Sequence, residues 1–192
     1  MSPAPDHAGD PVTASSLWNG PNLLTVARLV AVPVFAALLL EQTPDMRIWA
    51  AVVFAVAAAT DVLDGAWARR ANIVTTFGKV ADPIADKALT GVALVLLSWL
   101  GELPWWVTIV ILVREIGVTL LRFWVIRHGV IPASRGGKAK ALAQNIAILL
   151  FVLPIDIAWL RWLAMGAAVL LTVVTGIDYV VRVVRLRRQA RP

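Results

Sequence analysis

Cysteine is absent from the 192-residue chain, which excludes a disulfide framework and any thiolate metal site. Charge is scarce too. Asp, Glu, Lys and Arg together make 16% of the residues, where a soluble domain carries roughly a quarter. The first 17 residues, MSPAPDHAGDPVTASSL, hold no Lys or Arg and no apolar core. A secretory signal needs both, so the segment reads as a disordered tail. Internal repeats, a second domain and low-complexity linkers are also missing.

What abounds is apolar surface: 59% of the residues are hydrophobic and the mean hydropathy is +0.78. Roughly 20 apolar residues make one membrane-spanning helix. Apolar windows at 22–40, 47–68, 80–100, 104–127, 139–154 and 158–181 predict six of them. The expected fold is all-α, a polytopic membrane protein built as a six-transmembrane-helix bundle. Residues 18–186 form its single domain, between the tail 1–17 and a basic tail 187–192. Short connections predict that consecutive helices are antiparallel neighbours.

The net charge of +6 and the pI near 10.8 raise the question of nucleic acid, and the positions of the basic residues argue against it. Arg69, Arg70 and Lys79 fall in the second connection, and Arg127, Arg135, Lys138 and Lys140 in the fourth. Arg182, Arg185, Arg187, Arg188 and Arg191 fall in the C-terminal tail. The first, third and fifth connections hold only Arg47 and Arg161. The positive-inside rule then places both termini in the cytoplasm, with the basic loops facing anionic lipid headgroups. Trp49, Trp99, Trp105, Trp106, Trp159 and Trp162 gather at the opposite face, as an aromatic belt does.

Against this background four carboxylates stand out. Asp61 and Asp64 close the second window, and Asp82 and Asp86 open the third. Spacings of three and four put each pair on one helix face. An aspartate at mid-membrane costs about 2.5–3.5 kcal/mol to insert, and four close carboxylates stay ionised only if something cancels their charge. Arg69 and Lys87 offset part of it. One or two divalent cations, hard ions that take oxygen ligands, offset it more completely. A plainer reading makes Asp82 a helix cap before Pro83 and Asp61 a buried partner of Arg69. It leaves unexplained the two spaced pairs together with their glycines, alanine and arginine. Gly65 and Gly78 allow close approach of a ligand, Ala68 keeps the Asp61–Asp64 face clear, and Arg69 offers a bidentate fork for phosphate oxygens. Metal-held carboxylates and an arginine at headgroup depth suggest phosphoryl transfer on a lipid.

The residues stand as Asp61-x2-Asp64-Gly65-x2-Ala68-Arg69-x8-Gly78-x3-Asp82-x3-Asp86. This resembles the signature of the CDP-alcohol phosphatidyltransferases at all eight fixed positions. PNLLTVARLVAVP (21–33), FGKVADPIADKAL (77–89), REIGVTLLR (114–122) and GGKAKALAQ (136–144) are similar to segments of the branch that uses glycerol 3-phosphate. Ala141 departs from that branch, which more often has threonine there, and it is assigned no polar role.

The resemblance implies six transmembrane helices, a homodimer, and transfer from CDP-diacylglycerol to the 1-hydroxyl of sn-glycerol 3-phosphate, with release of CMP. It implies that Asp61, Asp64, Asp82 and Asp86 hold Mg²⁺ or Mn²⁺, two ions, and that Asp86 is also the general base. It assigns Gly65, Ala68, Arg69 and Gly78 to the nucleotide site, with Asn22 and Thr25 beside it. The acceptor's dianionic phosphate needs cations of its own. Arg114 and Arg122 lie inside the fourth apolar window, where an arginine is costly unless functional or paired, and Arg114 has Glu115 beside it for a partner. Arg114, Arg122 and Lys138 are the expected acceptor-phosphate pocket, with Lys140 and Arg28 as further candidates. Rival readings are a cardiolipin synthase or a phosphatidylinositol phosphate synthase, which keep the same signature, and a cation transporter, whose intramembrane aspartates would mark an ion path.

Overall fold

The computed structural model describes residues 20–71, 76–125 and 135–189, with side chains at 26–60, 85, 87–121 and 137–185. Helices account for nearly all of these residues, and no strand occurs among them: α1 (Gly20–Leu40), α2 (Pro44–Ala71), α3 (Thr76–Trp99), α4 (Trp105–Val125), α5 (Arg135–Val152) and α6 (Ala158–Gln189). Each overlaps one apolar window. Helix α6 runs eight residues past the expected 181 and takes in part of the segment read as a basic tail. Arginine and leucine are good helix formers, and an Asp178–Arg182 pair at 3.0 Å spans one turn there.

Local chemistry sets the ends. Thr43 caps α2, since its Oγ1 accepts the Met46 N–H at 3.4 Å and its carbonyl accepts the Arg47 N–H at 2.9 Å. Pro44 then needs no partner for its nitrogen, and Asp45 meets the positive end of the helix. Helix α3 stops at Gly101, whose φ of 77° suits a residue without Cβ. That turn lets the Glu102 N–H reach the Leu97 carbonyl at 3.0 Å and the Gly101 N–H reach Ser98 at 3.1 Å, a Schellman closure.

Helix α1 packs against both α2 and α3, α5 against α6 and α2, and α4 against α3 and α6. Among the described residues the expectation that consecutive helices are close neighbours therefore fails at α4 and α5. Both instead pack on α3 and α6, and charged side chains link them, as described below. The core holds Phe35, Leu39, Phe54, Leu94, Ile111 and Ile148, and the Phe35 and Phe54 rings meet at 5.6 Å. The outside is apolar as well: Val30, Val113, Leu120, Leu142, Leu163 and Leu170 are each more than half exposed. Soluble monomers rarely present so much contiguous apolar surface to water. Within α6, Ala158–Arg185 is long and apolar enough to cross a membrane; Val26–Leu40 and Lys87–Trp99 are shorter apolar stretches.

One end of the bundle is clasped by Arg47. Its guanidinium pairs with both oxygens of Glu102 and donates to the carbonyls of Phe151 at 2.7 Å and Val152 at 3.0 Å. The start of α2, the α3–α4 turn and the end of α5 are thereby tied together. Arg161 of α6 joins this end, donating to the carbonyls of Leu153 and Ile155. The six tryptophans of the expected belt lie in or beside these helix ends and are all exposed.

Candidate functional site

The aspartate motif lies at the other end. Asp61 and Asp64 belong to α2 and Asp82 and Asp86 to α3, two helices that touch. Asp64 is 17 residues along α2 from Arg47, about 25 Å at 1.5 Å per residue. The four aspartate side chains lie outside the described residues, as do the side chains of Asn22, Thr25, Ala68, Arg69 and Arg122. Their backbones place Asn22 and Thr25 near the start of α1, Gly65, Ala68 and Arg69 in α2, Gly78 in α3, and Arg122 in α4. As a donor set the motif is oxygen only, the chemistry that hard divalent ions take.

Next to it stands a charged cluster whose side chains are described in full. Glu115 of α4 is its centre. One carboxylate oxygen accepts from Arg114 Nη1 at 2.9 Å and from Lys140 Nζ of α5. The other lies 3.6 Å from Lys87 Nζ of α3, and Lys87 directly follows Asp86 in the chain. Three cations from three helices thus converge on one carboxylate, which among the described residues leaves two positive charges in surplus. Lys140 is 4% exposed, whereas Lys138 is exposed. Arg28 is 2% exposed on α1.

Helix α6 sets the direction of Arg114. Arg114 Nη2 donates to Thr175 Oγ1 at 2.9 Å, and Thr175 in turn donates to the Leu171 carbonyl at 2.6 Å. A Cβ on Gly176 would stand 3.1 Å from Arg114 Cγ, so glycine gives the arginine room to cross the helix. Among the described residues, buried polar atoms of this region without a hydrogen-bond partner include Arg114 Nε, Oε1 of Gln144, one turn along α5 from Lys140, and Thr172 Oγ1 and Tyr179 Oη on either side of Thr175 in α6. Buried groups are nearly always satisfied, so such atoms invite a ligand or water.

Of the expected acceptor residues, the structure brings Arg114 and Lys140 together and leaves Lys138 at the surface. The expected Arg114–Glu115 pairing is present, but as one arm of a larger network. Sequence reasoning gave Glu115 no part beyond that pairing and missed Thr175 altogether. It read Lys87 as an offset to the aspartates, whose side chains lie outside the described residues, and did not foresee its approach to Glu115. A signal existed: Glu115 is an acid within an apolar run, and such a residue needs partners.

The chain matches the CDP-alcohol phosphatidyltransferase family over residues 18–174. It belongs to that family. A Mycobacterium tuberculosis protein named "Probable phosphatidylglycerophosphate synthase" is 49% identical over 187 residues, covering 95% of this chain and 90% of the relative. The CDP-diacylglycerol–glycerol-3-phosphate 3-phosphatidyltransferase of Bacillus subtilis is 38% identical over 181 residues, covering 85% and 94%. A Streptomyces coelicolor cardiolipin synthase (CMP-forming) is 35% identical over 180 residues, covering 88% and 84%. The protein is therefore a phosphatidyltransferase of this family, and the cation-transport reading falls away.

Proposed function

We propose that the enzyme transfers the phosphatidyl group of CDP-diacylglycerol to the 1-hydroxyl of sn-glycerol 3-phosphate, giving phosphatidylglycerophosphate and CMP. The observation that carries this reading is the likeness, over most of both chains, to relatives named for that reaction. In the step, the 1-hydroxyl oxygen forms a bond to the lipid-bearing phosphorus while the bond from that phosphorus to the CMP oxygen breaks. The hydroxyl proton passes to Asp86, and CMP leaves with the bonding pair.

Asp61, Asp64, Asp82 and Asp86 are the residues that would hold two Mg²⁺ or Mn²⁺ ions. Bound there, the ions would neutralise the pyrophosphate and lower the pKa of an attacking hydroxyl. Arg69 binds a phosphate oxygen pair, Gly65, Ala68 and Gly78 admit the cytidine diphosphate, and Asn22 and Thr25 flank it. Arg114 and Lys140 hold the acceptor's phosphate, aided by Arg122, Lys138 and Arg28. The bundle spans the plasma membrane of a bacterium six times, as a homodimer, with both termini and the aspartates cytoplasmic. The outward apolar faces and the tryptophans at the Arg47 end support that placement.

The Streptomyces relative raises cardiolipin synthesis as a second reading. Its acceptor, phosphatidylglycerol, offers a neutral glycerol end and a phosphodiester of single charge. Among the described residues, the three cations around Glu115 exceed it by two positive charges, which better matches a phosphate dianion. CMP release by purified protein in detergent, with Mg²⁺ and CDP-diacylglycerol, tests the proposal. Turnover is expected with glycerol 3-phosphate and lost in Asp86→Asn; turnover with phosphatidylglycerol alone would overturn the acceptor.

A further inference from the structure

We propose that Glu115 is a positioning residue, drawing Lys87, Arg114 and Lys140 from three helices into one cluster that receives the acceptor's dianionic phosphate. The inference rests on the acceptor reading above and adds to it a residue that touches no substrate.

The donor count allows it. An ammonium has three N–H donors and a guanidinium five. Glu115 takes one from Lys140, and Glu115 and Thr175 take one each from Arg114. Lys87 stands off at 3.6 Å and is 31% exposed, so it can turn to a ligand. Donors on all three cations therefore remain for phosphate oxygens while the carboxylate stays in place.

Glu115 is what links the cations to one another. Helices α4 and α5 both pack on α3 and α6, and among the described residues the Glu115 carboxylate is the group that bonds to both Lys140 and Arg114 between them. Without it, no anion among the described residues would stand between the three like charges, and they would repel one another. A phosphate would then have to gather them itself and would bind more weakly. A second observation points to a ligand here. Arg114 Nε and Gln144 Oε1 are buried without a protein partner, and Gln144 is 3% exposed on the turn that follows Lys140. Arg114 Nε faces Gly176 of α6, so the open group beside Lys140 is Gln144 Oε1, an acceptor suited to an alcohol hydroxyl.

A purely structural ion network predicts something different: loss of stability, with substrate affinities falling together or not at all. The experiment measures KM for glycerol 3-phosphate and for CDP-diacylglycerol, by CMP release, in wild type, Glu115→Gln and Glu115→Asp. Glu115→Gln should raise KM for glycerol 3-phosphate about tenfold or more, the scale of one lost charged contact. KM for CDP-diacylglycerol should stay within about twofold, because a group acting only on the acceptor leaves the other substrate's binding alone. Glu115→Asp keeps the charge on a shorter arm and should fall between. If Glu115→Gln does not fold, the Asp variant carries the same test. Unchanged KM for glycerol 3-phosphate, or equal rises for both substrates, would overturn the role of Glu115 on an active wild type. Absence of wild-type turnover with glycerol 3-phosphate would instead overturn the acceptor reading, and this inference with it.

Discussion

Replacing Arg47 by alanine should destabilise the protein without touching its chemistry. The guanidinium makes two charged bonds to Glu102 and two more to the carbonyls of Phe151 and Val152. Removing one partner of a fully buried pair costs about 3–5 kcal/mol. Here the side chains of Arg47 and Glu102 are 13% and 24% exposed, so water recovers part of that loss, and about 2–3 kcal/mol is the expected cost. Glu102→Gln keeps the shape and leaves both carbonyl bonds intact, so it should cost only about 1 kcal/mol. For a chain of this size 1 kcal/mol moves Tm by about 2–4 °C. Thermal unfolding in detergent should thus drop by about 4–12 °C for Arg47→Ala and about 2–4 °C for Glu102→Gln. Because the clasp and the aspartates occupy opposite ends of α2, kcat and both KM values of the folded variants should stay near wild type. Equal losses for the two variants would refute the carbonyl contribution. An unmoved Tm with a raised KM for glycerol 3-phosphate would refute the separation of the two ends.

Other expectations follow from the same geometry. Asp86→Asn should lower CMP release by at least about a hundredfold, the scale of a lost general base, while labelled CDP-diacylglycerol still binds. Lys140→Ala should raise KM for glycerol 3-phosphate about tenfold, as a buried charge partner lost from the cluster; the change at exposed Lys138 should be several times smaller, and the reverse order would contradict the burial pattern. Thr175→Val, which removes only the hydroxyl that accepts from Arg114, should raise the same KM about threefold, less than a charged contact is worth. Chelation by EDTA should abolish CMP release, and Mg²⁺ or Mn²⁺ should restore it; activity that survives chelation would remove the metal role of the four aspartates.

Much of the fold was legible because apolar runs bounded by proline, glycine and charge leave few alternatives. Thr43-Pro44 and Gly101 mark helix ends by their own chemistry, and the α2 and α3 limits follow from them. Helix adjacency was less legible. Short connections suggest neighbours, but α4 turns its packing face to α6, where Gly176 admits the Arg114 side chain. The charged cluster escaped for a similar reason: Lys87, Glu115 and Lys140 are far apart in sequence, and nothing local shows that they converge. Lys138 and Lys140 were hard to rank because successive helical residues turn by about 100°. Two positions apart, one lysine faces inward and the other outward, and the phase comes only from tertiary packing. The aspartate motif needed none of this to be noticed, since its spacing alone sets two pairs of carboxylates on the facing ends of α2 and α3.

The most direct test offers glycerol 3-phosphate, inositol phosphate and phosphatidylglycerol together, at equal concentration, to the purified protein with CDP-diacylglycerol and Mg²⁺. Mass spectrometry then identifies the lipid formed. Phosphatidylglycerophosphate as the dominant product, absent with Asp86→Asn, is the predicted result. Cardiolipin or phosphatidylinositol phosphate as the dominant product would contradict the account of the acceptor site.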